Sequence, residues 1–460
     1  MNEESVTAEG EEFEQELGLD TIFRLPPSLT EHPILGRHLV IAPEQANWLV
    51  CDDEEYAAFS LFRARKSIME TEGVLMEQHK MNADQARAVV SRLIAQILGK
   101  EFLQEAEIRE KPTFKVASLH ITEGCNLRCT TCLWSSAVAG PDECSLDQWK
   151  RFLEAFRDFG SHTVTLTGGE PMTNPDCFEI MLHAREVGLK VVMLSNGTLI
   201  TKENARLIGE YCNEVQVSID GPSAEIHDSV RGKGTFEKTL LALRELSAYP
   251  QCHLSVAMTP TLLTLPSFQT DLHRFVNRIW KEINPEINFR VAQKLVKGRS
   301  LPTMSEQGAR EFKKAVIALC DDQLEMDFVH KLDAASIIPN RRIFGCGLAD
   351  IFSVRANGDV KLCAYSPDPV GNIKDIRDDK AFLPDLAKKL GQLIRSTRVE
   401  KVRPCGECDL RYFCGGKCRK DNLADYGNPL VCECDWTWKN EWYERLVRIN
   451  PYVVEPITGS

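Results

Sequence analysis

Three cysteines crowd into eight residues, Cys125-Asn126-Leu127-Arg128-Cys129-Thr130-Thr131-Cys132, directly after an apolar run that reads as a strand. So short a loop returns each sulfur to the same side, where three thiolates grip one corner of a metal cluster. Iron–sulfur clusters ordinarily take four protein ligands, so three leave one iron open to a chelating substrate. A zinc loop, or three unrelated thiols, would use the same residues. One strand–helix unit later comes Gly168-Gly169-Glu170-Pro171. Glycines at a strand end let backbone approach a ligand closely, and Glu170 offers a carboxylate to an ammonium group. An ordinary strand-to-helix turn has the same composition.

A second set of cysteines lies far downstream. Cys346 is followed by eleven residues, Gly358, four residues and Cys363. Then Cys405-x2-Cys408-x5-Cys414-x3-Cys418 precedes Cys432 and Cys434. The remaining thiols, Cys51, Cys144, Cys177, Cys212, Cys252 and Cys320, stand alone and read as small buried apolar residues. An odd total of 17 fits clusters plus isolated thiols better than a closed set of disulfides.

The elements that must position these groups are legible from periodicity. Strands are expected at 115–121, 162–167, 190–194, 214–219, 253–258 and 286–291, with helices between and after them. Ser145 and Gln148 make a capping box ahead of Trp149, Phe152, Leu153 and Phe156, and Asn174-Pro175 opens the next helix. Six such units predict an α/β fold with a parallel sheet, either open or curled into a partial (β/α)6 TIM-like barrel, with ligands at the carboxyl ends of the strands. This core spans 108–335. Before it, 22–107 reads as a winged-helix-like strand-strand-helix-helix module, with strands His38–Ile41 and Trp48–Cys51 and one apolar helix face at Ala86, Val89, Val90, Leu93, Ile94 and Ile97. Residues 1–21 carry eight acids and no Lys or Arg, the composition of a disordered tail. From 336 to 460, Cys, Gly and Pro replace the helical signal, which suggests a loop-rich domain held by metal.

Taken together, CxxxCxxC at 125–132 and GGEP at 168–171 resemble the radical S-adenosylmethionine (SAM) enzymes. The resemblance implies that Cys125, Cys129 and Cys132 hold a 4Fe–4S cluster whose fourth iron chelates SAM. Reductive cleavage of the sulfonium would yield methionine and a 5′-deoxyadenosyl radical that abstracts hydrogen. It further assigns Ser195, Ser218 and Asp220 to the ribose and methionyl end, and Arg231 to the SAM carboxylate. Thr131 replaces the aromatic that usually precedes the third Cys, which shifts adenine packing to Leu133 or Trp134. The downstream array resembles a SPASM domain with two auxiliary iron–sulfur clusters. Cys346, Cys363 and Cys418 would serve the first; Cys405, Cys408, Cys414 and a late cysteine, Cys432 in preference to Cys434, the second. Zinc is the alternative for these pairs. The 22–107 module resembles the PqqD-like domains that present a sheet edge to a leader peptide; a small structural cap is the alternative. His120, His162 and His227 are expected to be structural.

The formal net charge of −12 argues against nucleic acid as the default partner. No run of 18 apolar residues predicts a membrane span, and the acidic start lacks a secretory n-region. Reduced thiolates and low-potential clusters call for a reducing compartment, hence a cytoplasmic enzyme. The expected function is a peptide maturase that takes hydrogen from a ribosomally made precursor and closes a thioether or carbon–carbon link, with a reductant such as flavodoxin or ferredoxin. The alternatives are modification of a side chain on a protein partner and a non-enzymatic electron carrier or scaffold.

Overall fold

The computed structural model describes residues 17–106, 114–132, 134–291, 308, 311, 312, 315, 342, 351–361, 368–377, 381–434 and 436–452. Six parallel strands form the centre: β4 (Val116–His120), β5 (Thr163–Thr167), β6 (Lys190–Ser195), β7 (Glu214–Ser218), β8 (His253–Met258) and β9 (Asn288–Val291), neighbours in chain order. Alternation sends Val164 and Leu166, or Val215 and Val217, to one face at full burial, and helices cover that face. The capping box of α4 (Leu146–Asp158) forms as expected, and Trp149, Phe152, Leu153 and Phe156 are all buried. Helix α5 (Cys177–Glu186) starts later than Asn174-Pro175 suggests. Asn174 instead accepts from Asp176 N–H at 2.8 Å and donates to Ile121 O at 2.7 Å, an Asx turn that delays the helix.

The sheet does not stop at β4. Strand β10 (Ile351–Val354) pairs parallel with β4, and β11 (Asp359–Lys361) and β12 (Gly371–Asn372) follow antiparallel, giving nine strands. Apolar burial explains the addition: the Phe352 ring meets Phe114 edge-on at 5.2 Å and Phe156 at 5.6 Å, and burying such a ring is worth about 2 kcal/mol. Residues 351–354 and 359–361, between Cys346 and Cys363, are therefore strands of the central sheet.

The N-terminal module has three strands and three helices, one of each more than expected: β1 (Thr30–Ile34), β2 (Arg37–Ala42), β3 (Asn47–Cys51), α1 (Asp53–Arg63), α2 (Ile68–Gln78) and α3 (Ala83–Gly99). Residues 17–21, the described end of the expected tail, are tied to it: Leu19 and Thr21 carbonyls accept from Met69 and Ile68. Val40, Ala42, Leu49 and Cys51 face the helices. On the other face, Leu39, Ile41, Trp48 and Val50 pack on Leu410, Phe413, Leu446 and Val447 of the cysteine-rich end. Both faces are covered, so the module is built onto the C-terminal region. Among the described residues no helix is long and apolar enough to cross a membrane.

Candidate cluster and nucleotide site

The three-cysteine loop leaves the carboxyl end of β4 and is stapled from four directions. Gly169 N–H donates to Thr122 O at 2.9 Å and Glu170 N–H to Gly124 O at 2.8 Å. Thr130 N–H donates to Val230 O at 3.0 Å, tying the loop to α7 (Ala224–Arg231). Asn126 donates to Thr198 Oγ1 at 2.8 Å and accepts from Asn196 at 2.9 Å, reaching the end of β6. Cys125 N–H donates to Ala137 O at 3.2 Å. The glycines of GGEP serve this docking. A Cβ at Gly168, whose φ is +148°, would stand 2.3 Å from Thr122 O, and one at Gly169 would stand 2.1 Å from Gly124 O. The close approach they permit is to the cysteine loop itself.

Glu170 is fully buried. Its carboxylate accepts from Ser195 Oγ at 2.9 Å, Asn196 N–H at 2.7 Å and Met172 N–H at 3.4 Å, joining the ends of β5 and β6. Burial pushes its pKa up to about 7 against those donors. Both oxygens are thus engaged within the chain. Pro171 opens a short helical turn, Pro171–Thr173. Asp220, just beyond β7, is buried and bridges elements: Oδ1 accepts Thr259 N–H at 2.9 Å and Oδ2 meets Arg231 Nε at 2.7 Å. Ser218 is the last residue of β7, half-buried.

Arg231 ends α7 beside Cys129 and Cys125. Burial opposes its charge, and Asp220 with Cys129 more than restores it. The thiols of Cys125 and Cys129 are held up chiefly by burial, with Leu127 N–H lowering the first and Arg231 the second. A cationic guanidinium beside thiols that must ionise to bind metal favours ligation. Among the described residues no group of three or more His, Cys, Asp or Glu gathers around a single-ion point.

Sequence reasoning missed what surrounds the loop. Arg355, after β10, reaches Glu123 Oε1 at 2.5 Å and His120 Nδ1 at 3.2 Å, and its guanidinium lies 4.3 Å over the Trp134 ring. Nothing in sequence pairs residues 232 apart. Glu143 accepts from Glu123 and Gly140 N–H groups and from Thr122. His227 accepts Asp220 N–H at 3.2 Å. Leu133 lies outside the described residues.

In the C-terminal region, Cys405, Cys408, Cys414, Cys432 and Cys434 line one cavity of about 230 Å³ with Arg411, Lys417 and Lys439. Cys418, which precedes the helix Arg419–Tyr426, does not line it. Cys346, Cys363 and Cys320 lie outside the described residues. Cys51, Cys144, Cys177, Cys212 and Cys252 are buried as expected.

Residues 119–263 match the family model of the Radical SAM superfamily, so the chain carries a radical SAM domain. It is similar to the AdoMet-dependent heme synthase of Oleidesulfovibrio alaskensis, 26% identical over 359 residues, covering 70% of this chain and 87% of that protein. It is also similar to the antilisterial bacteriocin subtilosin biosynthesis protein AlbA of Bacillus subtilis, 27% identical over 344 residues, 72% of this chain and 73% of that one. Among solved structures, Streptococcus suis SuiB bound to precursor peptide SuiA superposes with a TM-score of 0.51 at 15% identity, over 88% of this chain and 98% of that one. That last likeness is one of fold.

Proposed function

We propose that the chain is a radical SAM peptide maturase. The carrying observation is the three-cysteine loop, held at the strand ends by Asn126, Gly169 and Thr130 beside the Arg231–Asp220 pair, within a matched radical SAM domain. Cys125, Cys129 and Cys132 would hold the 4Fe–4S cluster. When bound, the cluster and SAM supply reductive cleavage of the sulfonium and a radical that takes hydrogen from the substrate. The chain's own part is orientation: Asp220 fixes Nε of Arg231 so that the rest of the guanidinium faces the cluster side, where a SAM carboxylate would pair. Glu170 keeps the ends of β5 and β6 rigid. The cup of Cys405, Cys408, Cys414 and a late cysteine would hold an auxiliary cluster, and Cys346, Cys363 and Cys418 another. Product of the reaction would be a crosslinked peptide, by a thioether or carbon–carbon bond.

The peptide would be captured by the N-terminal module along β1. The β3 edge is closed: the Gln96 side chain accepts from Val50 N–H at 2.7 Å and donates to Val50 O at 3.0 Å, while Asn47 takes Trp48 N–H. At the other edge, the two-residue turn Leu35-Gly36, with both φ positive, makes Ile34 and Arg37 a hydrogen-bonded pair. Alternation then directs Glu31 N–H and C=O and Pro33 C=O outward, a ladder that an extended peptide completes.

The test is anaerobic reconstitution of the full chain with iron and sulfide, then dithionite and SAM. Formation of 5′-deoxyadenosine, abolished in C125A/C129A/C132A while auxiliary iron stays, supports the assignment. SAM cleavage by the triple variant overturns it. The heme synthase similarity favours a second reading, action on a heme precursor. Loss of hydrogen from an added precursor peptide, seen by mass spectrometry, against consumption of a porphyrin, separates the two.

A further inference from the structure

We propose that the C-terminal cup carries one thiol more than its cluster uses, so that Cys432 and Cys434 are interchangeable fourth ligands. The proposal rests on the reading that this cup holds an iron–sulfur cluster. A four-iron cluster with no open iron takes four protein sulfurs, yet five cysteines line the cavity. Three are set by local structure. Cys405 and Cys408 flank a helical turn in which Cys408 N–H donates to Cys405 O at 3.0 Å, and Cys414 ends the short helix Arg411–Cys414.

The two late thiols approach together on one non-helical stretch. Both line the cavity, and Glu433 between them is exposed. Cys432 N–H donates to Arg403 O at 2.9 Å, and Cys432 shares a buried cluster with Cys405. Cys434 lines the same cavity as Cys414 and Cys408. Lys417 Nζ donates to Glu433 O at 2.6 Å and pins the stretch with both thiols turned inward. Lys417, Lys439 and Arg411 around the cup balance the negative charge that four thiolates bring. Either late cysteine can therefore complete the set without rebuilding the backbone.

The test uses the anaerobically reconstituted full chain as wild type, C432A, C434A and the double variant, with iron per chain and the electron paramagnetic resonance of the reduced protein as readouts. C432S/C434S, closer in size at the buried Cys432, guards against a packing failure. Each single variant is expected to keep wild-type iron with a shifted cluster signal. The double variants lose about four iron per chain, the content of one cluster, while the Cys125–Cys132 cluster remains and reports a folded chain. A single variant that falls as far as the double overturns the proposal, and so does a double variant that loses no iron. Wild-type chain holding only the iron of the Cys125–Cys132 cluster overturns the cup reading, and this proposal with it.

Discussion

His227 and Glu170 set opposite pH dependences on stability over nearly the same range, and replacing either one unmasks the other. His227 is fully buried on α7, 5.5 Å from the Phe236 ring, and accepts Asp220 N–H through Nδ1. Burial, with Arg231 adding to it, takes its pKa from the ordinary 6.5 down to about 4. The folded chain keeps a neutral ring where the unfolded chain binds a proton. Stability from this group is whole above 6.5 and is lost as pH falls toward 4. That interval, at ~1.4 kcal/mol per pH unit, amounts to roughly 3 kcal/mol. Glu170 runs the other way. Its pKa rises from 4.5 to about 7, so the folded chain keeps a proton the unfolded chain has released, and stability falls as pH rises between those values. In H227Q, the amide oxygen accepts Asp220 N–H without titrating. Urea unfolding midpoints of the full chain between pH 5 and 7 should then show H227Q losing stability relative to wild type as pH rises, by roughly 2 kcal/mol. E170Q should gain relative to wild type over the same span. Parallel curves for H227Q and wild type would refute the buried neutral imidazole.

R231M leaves the buried Asp220 carboxylate without its ion-pair partner and should cost about 3–5 kcal/mol in urea unfolding at pH 7. G169A drives a Cβ toward Gly124 O; steric strain of about 1–3 kcal/mol is expected there, read as early loss of iron from the Cys125–Cys132 loop while auxiliary iron stays. Q96L strips the partners from Val50 N–H and C=O on a buried strand and should destabilise by about 3 kcal/mol, measured by thermal or urea unfolding.

The sequence by itself determined the six parallel strands and their order of helices, because local periodicity and caps act within about ten residues. It also marked the three-cysteine loop and GGEP, whose spacing is short enough to be a statement about geometry. It did not reveal β1, since Pro33 and His32 dilute the strand pattern that a two-residue turn and pairing with β2 impose. Only the tertiary structure decided that Phe352 brings β10 against β4, that Arg355 reaches Glu123 across 232 residues, and that the GGEP glycines receive the backbone of Thr122 and Gly124. Each depends on long-range burial or on a buried charge finding its partner, which become favourable only after the chain has closed on itself. The same holds for the five-thiol cup: the cysteines are plain in the sequence, and their convergence on one cavity is a property of the fold.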